Sequence, residues 1–253
     1  MPRITGQTVL ITGASSGLGR ELALRLSNQD NHLVVTARRA ALLEALADEV
    51  RANGSRCTVV PADCTDPEQV QRVLDAAMET GGVDVAVLNA GGGVAMRMDE
   101  ASAADVLWIM RVNYDTMVLF LSPLIAHMKA RGSGTIAYTG SPAGTFGLPR
   151  SGPYSAAKAA GRVLMDSARI ELAGSGVKLV AMYPGFTYTD ALDPEDVPVK
   201  ALIIDRQRAA KEMQWAIERG RAHHMFPKRI KALIGFGAAL PEWLRRFVLS
   251  RVS

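Results

Sequence analysis

The chain has 253 residues, 48% of them hydrophobic and 21% charged, the composition of an ordinary globular protein with enough apolar material for one well-buried domain. No run of roughly 18 or more apolar residues interrupts it, and the opening MPRITGQTVLITG lacks a leader-cleavage pattern, so the expectation is a soluble, cytoplasmic protein. The net charge of +4 is uneven: residues 206–253 hold eleven Lys or Arg against three Asp or Glu, and residues 1–205 hold eighteen against twenty-two.

Short β-branched runs alternate along the chain with longer helical patterns. VLIT (9–12), HLVVTA (32–37), CTVVPAD (57–63), DVAVLNA (84–90), TIAYTG (135–140) and VKLVAMYP (177–184) read as six continuous apolar strands, the pattern of a parallel sheet covered on both faces. Between them, Leu18, Leu22 and Leu26 mark a first helix, and Leu42, Leu43, Leu46 and Val50 a second. Asp66 is placed to cap a third, with Pro67 in its first turn. A long fourth helix is expected from Ala101 to Arg131 and a fifth from Pro153 to Ala173. Strands alternating with helices predict right-handed crossovers, hence an α/β Rossmann-type doubly wound sheet with helices on both faces. The reading is one domain over 1–253, whose residues 190–253 supply a substrate loop and an atypical basic end.

After the first strand comes TGASSGLG (12–19), leading straight into a helix. Gly13, Gly17 and Gly19 allow a tight turn, close approach to a pyrophosphate and close packing of helix on strand, while the helix N-terminus offers free N–H groups to an anion. Three glycines in a plain surface turn would read the same way, but their place between a strand and a helix favours dinucleotide binding. The second strand ends in TARRA with no Asp or Glu to hold ribose hydroxyls.

On the fifth helix, Tyr154 and Lys158 stand four apart in GPYSAAK and share a face. Alone that spacing means little. Ser141 closes the fifth strand in TGSPAG, thirteen residues before Tyr154, and the ends of strands in open α/β sheets are where ligands bind.

With these motifs in order, the chain resembles the short-chain dehydrogenase/reductase family, in its single-domain branch of about 250 residues. TGASSGLG matches the family's TGxxxGxG, LNAG (88–91) its NNAG, RVNYD carries Asn113, and YPGFTYT matches PGxxxT; the likeness covers about residues 5–190. It implies a nicotinamide dinucleotide held by Gly13, Ser15, Ser16, Gly17, Leu18 and Gly19, by Asp63 at the adenine, by Asn89, Ala90 and Gly91, by Tyr154 and Lys158 at the ribose, and by Pro184, Gly185, Thr187 and Thr189 near the carboxamide. Arg38, at the position where NADP-dependent relatives place an arginine, and Arg39 beside it make NADP(H) the expected cofactor, since a guanidinium pairs with a 2′-phosphate and stacks on adenine. Two solvated arginines opening a helix remain the plain alternative.

The resemblance implies hydride transfer to a carbonyl with Asn113, Ser141, Tyr154 and Lys158 as the catalytic set. Tyr154 would be the proton donor, its phenol brought toward working pH by the positive charge of Lys158. Ser141 would hold the carbonyl oxygen, and Asn113 would support a proton relay through water. TGS stands where many relatives have SSS, a departure that leaves the serine intact. The competing reading is a non-catalytic dinucleotide-binding sensor or scaffold that uses its basic end to hold a partner.

Beyond about Thr189 the likeness fades. Helical spacing in KRIKALIGF and PEWLRRFVLSRV gives apolar faces (Ile230, Leu233, Ile234; Trp243, Leu244, Phe247, Val248) beside Lys and Arg. Such a segment could lie on an anionic membrane, cover a greasy substrate, or pack on the domain or a second subunit. Val94, Ala95, Met96, Phe146, Leu148, Phe186 and Tyr188 flank the motifs and suggest a hydrophobic ketone or alcohol as substrate, or ordinary core packing. A homodimer or homotetramer is expected, and no nucleic-acid partner. Cys57 and Cys64 read as free thiols, and neither they nor His127, His223 and His224 have metal-ligand spacing.

Overall fold

In the central strands, successive side chains enter opposite apolar layers. Val9 and Ile11 point into one buried cluster and Leu10 into the other; Leu33 and Val35 are split from Val34, and Val180 and Met182 from Leu179, in the same way. That two-sided burial is why these segments read as unbroken apolar runs rather than as alternating ones. The computed structural model describes residues 3–93, 95–188 and 203–251. Its strands are β1 (Thr8–Thr12), β2 (His32–Ala37), β3 (Arg56–Pro61), β4 (Val85–Leu88), β5 (Gly134–Thr139), β6 (Val177–Pro184) and β7 (His223–Phe226). All are parallel, in the order β3-β2-β1-β4-β5-β6-β7. The order reverses between β1 and β4, and there the carboxyl ends of the strands open a crevice.

The helices are α1 (Gly17–Leu26), α2 (Ala40–Ala52), α3 (Pro67–Glu79), α4 (Ala103–Met110), α5 (Thr116–Arg131), α6 (Gly152–Glu171), α7 (Arg206–Glu218), α8 (Lys228–Ala239) and α9 (Glu242–Leu249). One layer packs α1, α2 and α7 on the sheet through Leu22, Leu26, Leu43, Leu46 and Met213. The other packs α3, α5 and α6 through Val73, Leu74, Phe120, Leu124 and Met165.

Several local expectations match the structure. Asp66 caps α3, its Oδ1 accepting from the N–H of Glu68 at 2.9 Å and of Gln69 at 3.2 Å. The long fourth helix instead begins at Ala103, where Ser102 and Asp105 form a capping box. It is interrupted at Arg111–Asp115 by one π-helical turn carrying Asn113. HHMF, which has no strand signature in the sequence, extends the sheet as β7 beside β6. Helix α7 is likewise absent from the sequence reading.

Candidate active site

Four chain segments leave the carboxyl ends of the strands and meet over the crevice. The first follows β1. Gly13 and Gly17 adopt left-handed φ of 67° and 56°, values that side chains other than glycine's rarely reach. A Cβ at Gly13 would lie 2.9 Å from the Ala90 Cα, and one at Gly19 would lie 2.7 Å from the Asn89 Nδ2 and against the Gly13 carbonyl. Glycine here lets the β1 loop, the β4 loop and α1 touch. Thr12 fastens the two loops together, its Oγ1 accepting from the N–H groups of both Asn89 and Ala90 at 2.9 Å. In return, Asn89 Nδ2 donates to the carbonyls of Thr12 at 3.2 Å and Gly13 at 3.4 Å.

The N-terminus of α1 faces the same crevice. Ser16 makes no side-chain cap there and the first turn contains no acidic residue, so its N–H groups and the positive end of the helix dipole remain available to an anion. Ser15 is buried and Leu18 half-buried against the core. Arg39, just after β2, donates to Ser15 Oγ from Nε at 3.2 Å and from Nη2 at 2.9 Å, and also to Ser16 Oγ. Arg38 is exposed and near enough to Asp63 to lower its carboxyl, although the larger cause of that lowering is the Thr65 N–H donating to Asp63 Oδ1 at 2.9 Å. A glycine cradle that any Cβ would fill, a bare helix N-terminus and two guanidiniums beside it suit a dinucleotide with its phosphates on α1.

The proton-transfer residues gather on the other side of the crevice around Gly91–Gly93. A Cβ on Gly91 would lie 2.8 Å from Asn113 Oδ1 and 3.5 Å from Lys158 Nζ; one on Gly93 would lie 3.0 Å from the Tyr154 ring. Lys158 is buried, 4% exposed. Its Nζ donates to the Thr139 carbonyl at 3.0 Å and sits 5.6 Å from the Tyr154 ring centroid and 5.3 Å from that of Tyr138. Burial lowers the ammonium to about 8. Ser141 begins a 3₁₀ turn, its Oγ accepting from Ala143 N–H at 3.2 Å, and its hydroxyl lies near enough to the Tyr154 phenol to favour the ionised form.

The phenol of Tyr154 is pushed above its ordinary value by burial, with the nearby Ser141 hydroxyl opposing the rise. The side chain of Asn113 is also fully engaged with backbone. Its Oδ1 accepts from Gly92 N–H at 3.1 Å, and its Nδ2 donates to Gly92 O and, at 3.0 Å, to Ile109 O. It clamps the glycine loop.

At the end of β6, Gly185 N–H donates to Phe226 O at 2.8 Å, beside half-buried Pro184. Buried Thr187 donates from Oγ1 to the Gly185 carbonyl at 3.1 Å. Thr189 and Val94 lie outside the described residues. Thr12, Thr139 and Tyr138 shape the site without having been singled out in the sequence; Thr12 stands inside TGASSGLG and was open to notice, whereas a strand-end carbonyl such as that of Thr139 leaves no residue-type signal. Among the described residues no group of three or more His, Cys, Asp or Glu is arranged to hold a metal. None of their helices is long and apolar enough to cross a membrane.

Known proteins are similar to this chain in sequence and fold. The family model described as short chain dehydrogenase matches residues 7–197. The chain is 33% identical to an uncharacterized oxidoreductase of Myxococcus xanthus strain DK1622, over 96% of both chains. Its fold is similar to that of a short chain dehydrogenase/reductase from Burkholderia phymatum in complex with NAD, with a TM-score of 0.84 at 27% identity over 93% of this chain and 94% of that one. It is also similar to an alcohol dehydrogenase from Thermococcus sibiricus complexed with 5-hydroxy-NADP, with a TM-score of 0.78 at 25% identity over 87% of this chain and 95% of that one. The resemblance in the motifs, the sheet order and the matched span agree, and the chain belongs to the short-chain dehydrogenase/reductase family of oxidoreductases.

Proposed function

We propose that the protein is an NADP(H)-dependent carbonyl reductase or alcohol dehydrogenase acting on a hydrophobic ketone or alcohol. The observation that carries this reading is the convergence of the Tyr154 ring and the buried Lys158 ammonium against the Gly91–Gly93 loop, with the Ser141 hydroxyl beside the phenol. The dinucleotide, when bound, supplies or accepts the hydride. Tyr154 delivers a proton to the carbonyl oxygen as hydride reaches the carbon, so a neutral alcohol leaves and a phenolate remains. Ser141 donates a hydrogen bond to the same oxygen while charge grows on it. Lys158 stabilises the phenolate, and an ammonium lowered to about 8 returns the proton near neutral pH with little driving-force penalty. Asn113 fixes the loop against which the phenol rests.

The phosphate-selecting residues in this reading are Arg38, which is exposed and leaves its guanidinium free to face a 2′-phosphate, and Arg39, which braces the loop. Gly13, Ser15, Ser16, Gly17, Leu18 and Gly19 hold the pyrophosphate, Asp63 the adenine, and Asn89, Ala90, Gly91, Pro184, Gly185, Thr187 and Thr189 the nicotinamide half. Half-buried Phe146, Leu148 and Phe186 at the ends of β5 and β6 favour an apolar substrate. The free thiols Cys57 and Cys64 suit a reducing, cytoplasmic setting. Apolar side chains exposed on α4 (Leu107, Trp108) and α6 (Val163, Ile170) support a homo-oligomer.

Initial rates of NADPH and NADH consumption with a panel of apolar ketones and of sugars test this reading. The expected result is turnover of apolar ketones with NADPH preferred, and an Arg38→Ala enzyme that loses roughly tenfold or more in NADPH affinity with NADH unaffected. Preference for NADH, or NADPH binding untouched in Arg38→Ala, would remove the cofactor assignment.

A further inference from the structure

The last two helices bury almost nothing of themselves. Helix α9 has no buried residue and α8 only Ile230. Leu233 and Phe236 on α8, and Trp243, Phe247 and Val248 on α9, are 44–71% exposed. Arg229, Leu233 and Phe236 follow one another at i, i+4 and i+7 along one flank, and Trp243 and Phe247 stand one turn apart. Residues 228–251 also contain Lys228, Arg229, Lys231, Arg245, Arg246 and Arg251 against the single acid Glu242. Among the described residues, none of these six cations is paired with a carboxylate.

This pair of helices adjoins the site. Ile230 packs on Gly185, where a Cβ would come within 2.9 Å of its Cγ1. Gly237 lies against Phe146, where a Cβ would be 3.0 Å from the ring, and the Arg245 guanidinium sits 5.3 Å from the centroid of the same ring. Phe146 belongs to the loop that follows Ser141, so the exposed face is continuous with the mouth of the crevice.

Aromatic and aliphatic side chains bordered by unpaired cations match the chemistry of a bilayer interface. There the rings enter the headgroup boundary while Lys and Arg stems lie along apolar surface with their charges on lipid phosphates and carboxylates. A second copy of the chain fits less well, because self-pairing would bring two sets of these cations together. We propose that α8 and α9 are an interfacial anchor that seats the enzyme on an anionic lipid surface, with Leu233, Phe236, Trp243 and Phe247 at the headgroup boundary and the Phe146 side of the crevice turned toward the lipid.

The test uses the intact protein, without substrate, so its failure leaves the catalytic reading standing. Vesicles of phosphatidylcholine alone and of phosphatidylcholine mixed with phosphatidylserine are sedimented with the protein. Binding to the mixed vesicles and little to the neutral ones is expected, with added salt weakening it. Phe247→Ser and Arg246→Glu, both at exposed positions, should each lower the bound fraction roughly fivefold or more. Lipids with brominated chains should quench tryptophan fluorescence in the unmodified protein and much less in Trp243→Phe. No sedimentation with mixed vesicles, binding indifferent to both substitutions, or quenching unchanged in Trp243→Phe overturns the proposal. So does a smaller assembly mass in Phe247→Ser measured without lipid, which assigns the face to a second copy.

Discussion

Lys158 is a buried ammonium that donates to one backbone carbonyl, that of Thr139, and burial brings it down to about 8. The unfolded chain keeps that proton up to the ordinary lysine range. Between about 8 and that range the unfolded state therefore binds more protons than the folded one, and stability from this group rises with pH. Below about 8 both states are protonated, and the full cost of the buried charge is present. Lys158→Met should thus be more stable than the unmodified protein at neutral pH, by on the order of 1–3 kcal/mol, with the gap narrowing as pH rises past 8; urea melts at neutral and alkaline pH measure it. A less stable Lys158→Met at neutral pH would mean that the charge is compensated after all. Ser141, Tyr154 and Lys158 were legible because their spacing is a property of residue type and position. The direction of the Tyr154 shift was not, since it depends on how much solvent the fold removes from the phenol.

Elements differ from their sequence signatures mostly at their ends. The runs CTVVPAD and DVAVLNA promised strands to residues 63 and 90, but β3 stops at Pro61 and β4 at Leu88. The last residues of each leave the ladder to build loops, with Asp63 turning to Thr65 and Asn89 to Thr12. The polar Asp63 and Asn89 mark those ends, but a continuous apolar run read by period alone carries past them. RVNYD likewise reads as plain helix, although it forms the π turn that aims Asn113 at Gly92. HHMF carries too little apolar character to announce a strand and is held by its register with β6, a purely tertiary cause. Caps were more readable. Asp66→Ala removes the acceptor for two N–H groups at the start of α3, so a lower midpoint in chemical denaturation is expected; an unchanged midpoint would show that water replaces the cap.

At the scale of the whole molecule, alternation of strand and helix was enough to foresee the doubly wound sheet, since each central strand feeds both apolar layers and only parallel strands covered on two faces satisfy that demand. The surface was less legible. The apolar faces foreseen for the final segment are divided in the structure: Ile230 is buried, whereas Leu233, Trp243, Phe247 and Val248 remain outside, and only the packing partner decides which side turns in. The same holds for α4 and α6, where Leu107 is 68% and Ile170 78% exposed. If these helices pair subunits, sedimentation velocity should give a dimer or larger assembly, and Leu107→Glu combined with Ile170→Glu should shift it to monomer. A monomeric unmodified protein at micromolar concentration would contradict that.

The whole account turns on proton delivery by Tyr154. The most direct test is single-turnover oxidation of bound NADPH by a ketone that the unmodified enzyme reduces, comparing it with Tyr154→Phe at saturating NADPH. A fall of roughly 10²–10⁴ in rate with NADPH affinity kept is predicted. A rate within a few-fold of the unmodified enzyme would contradict it.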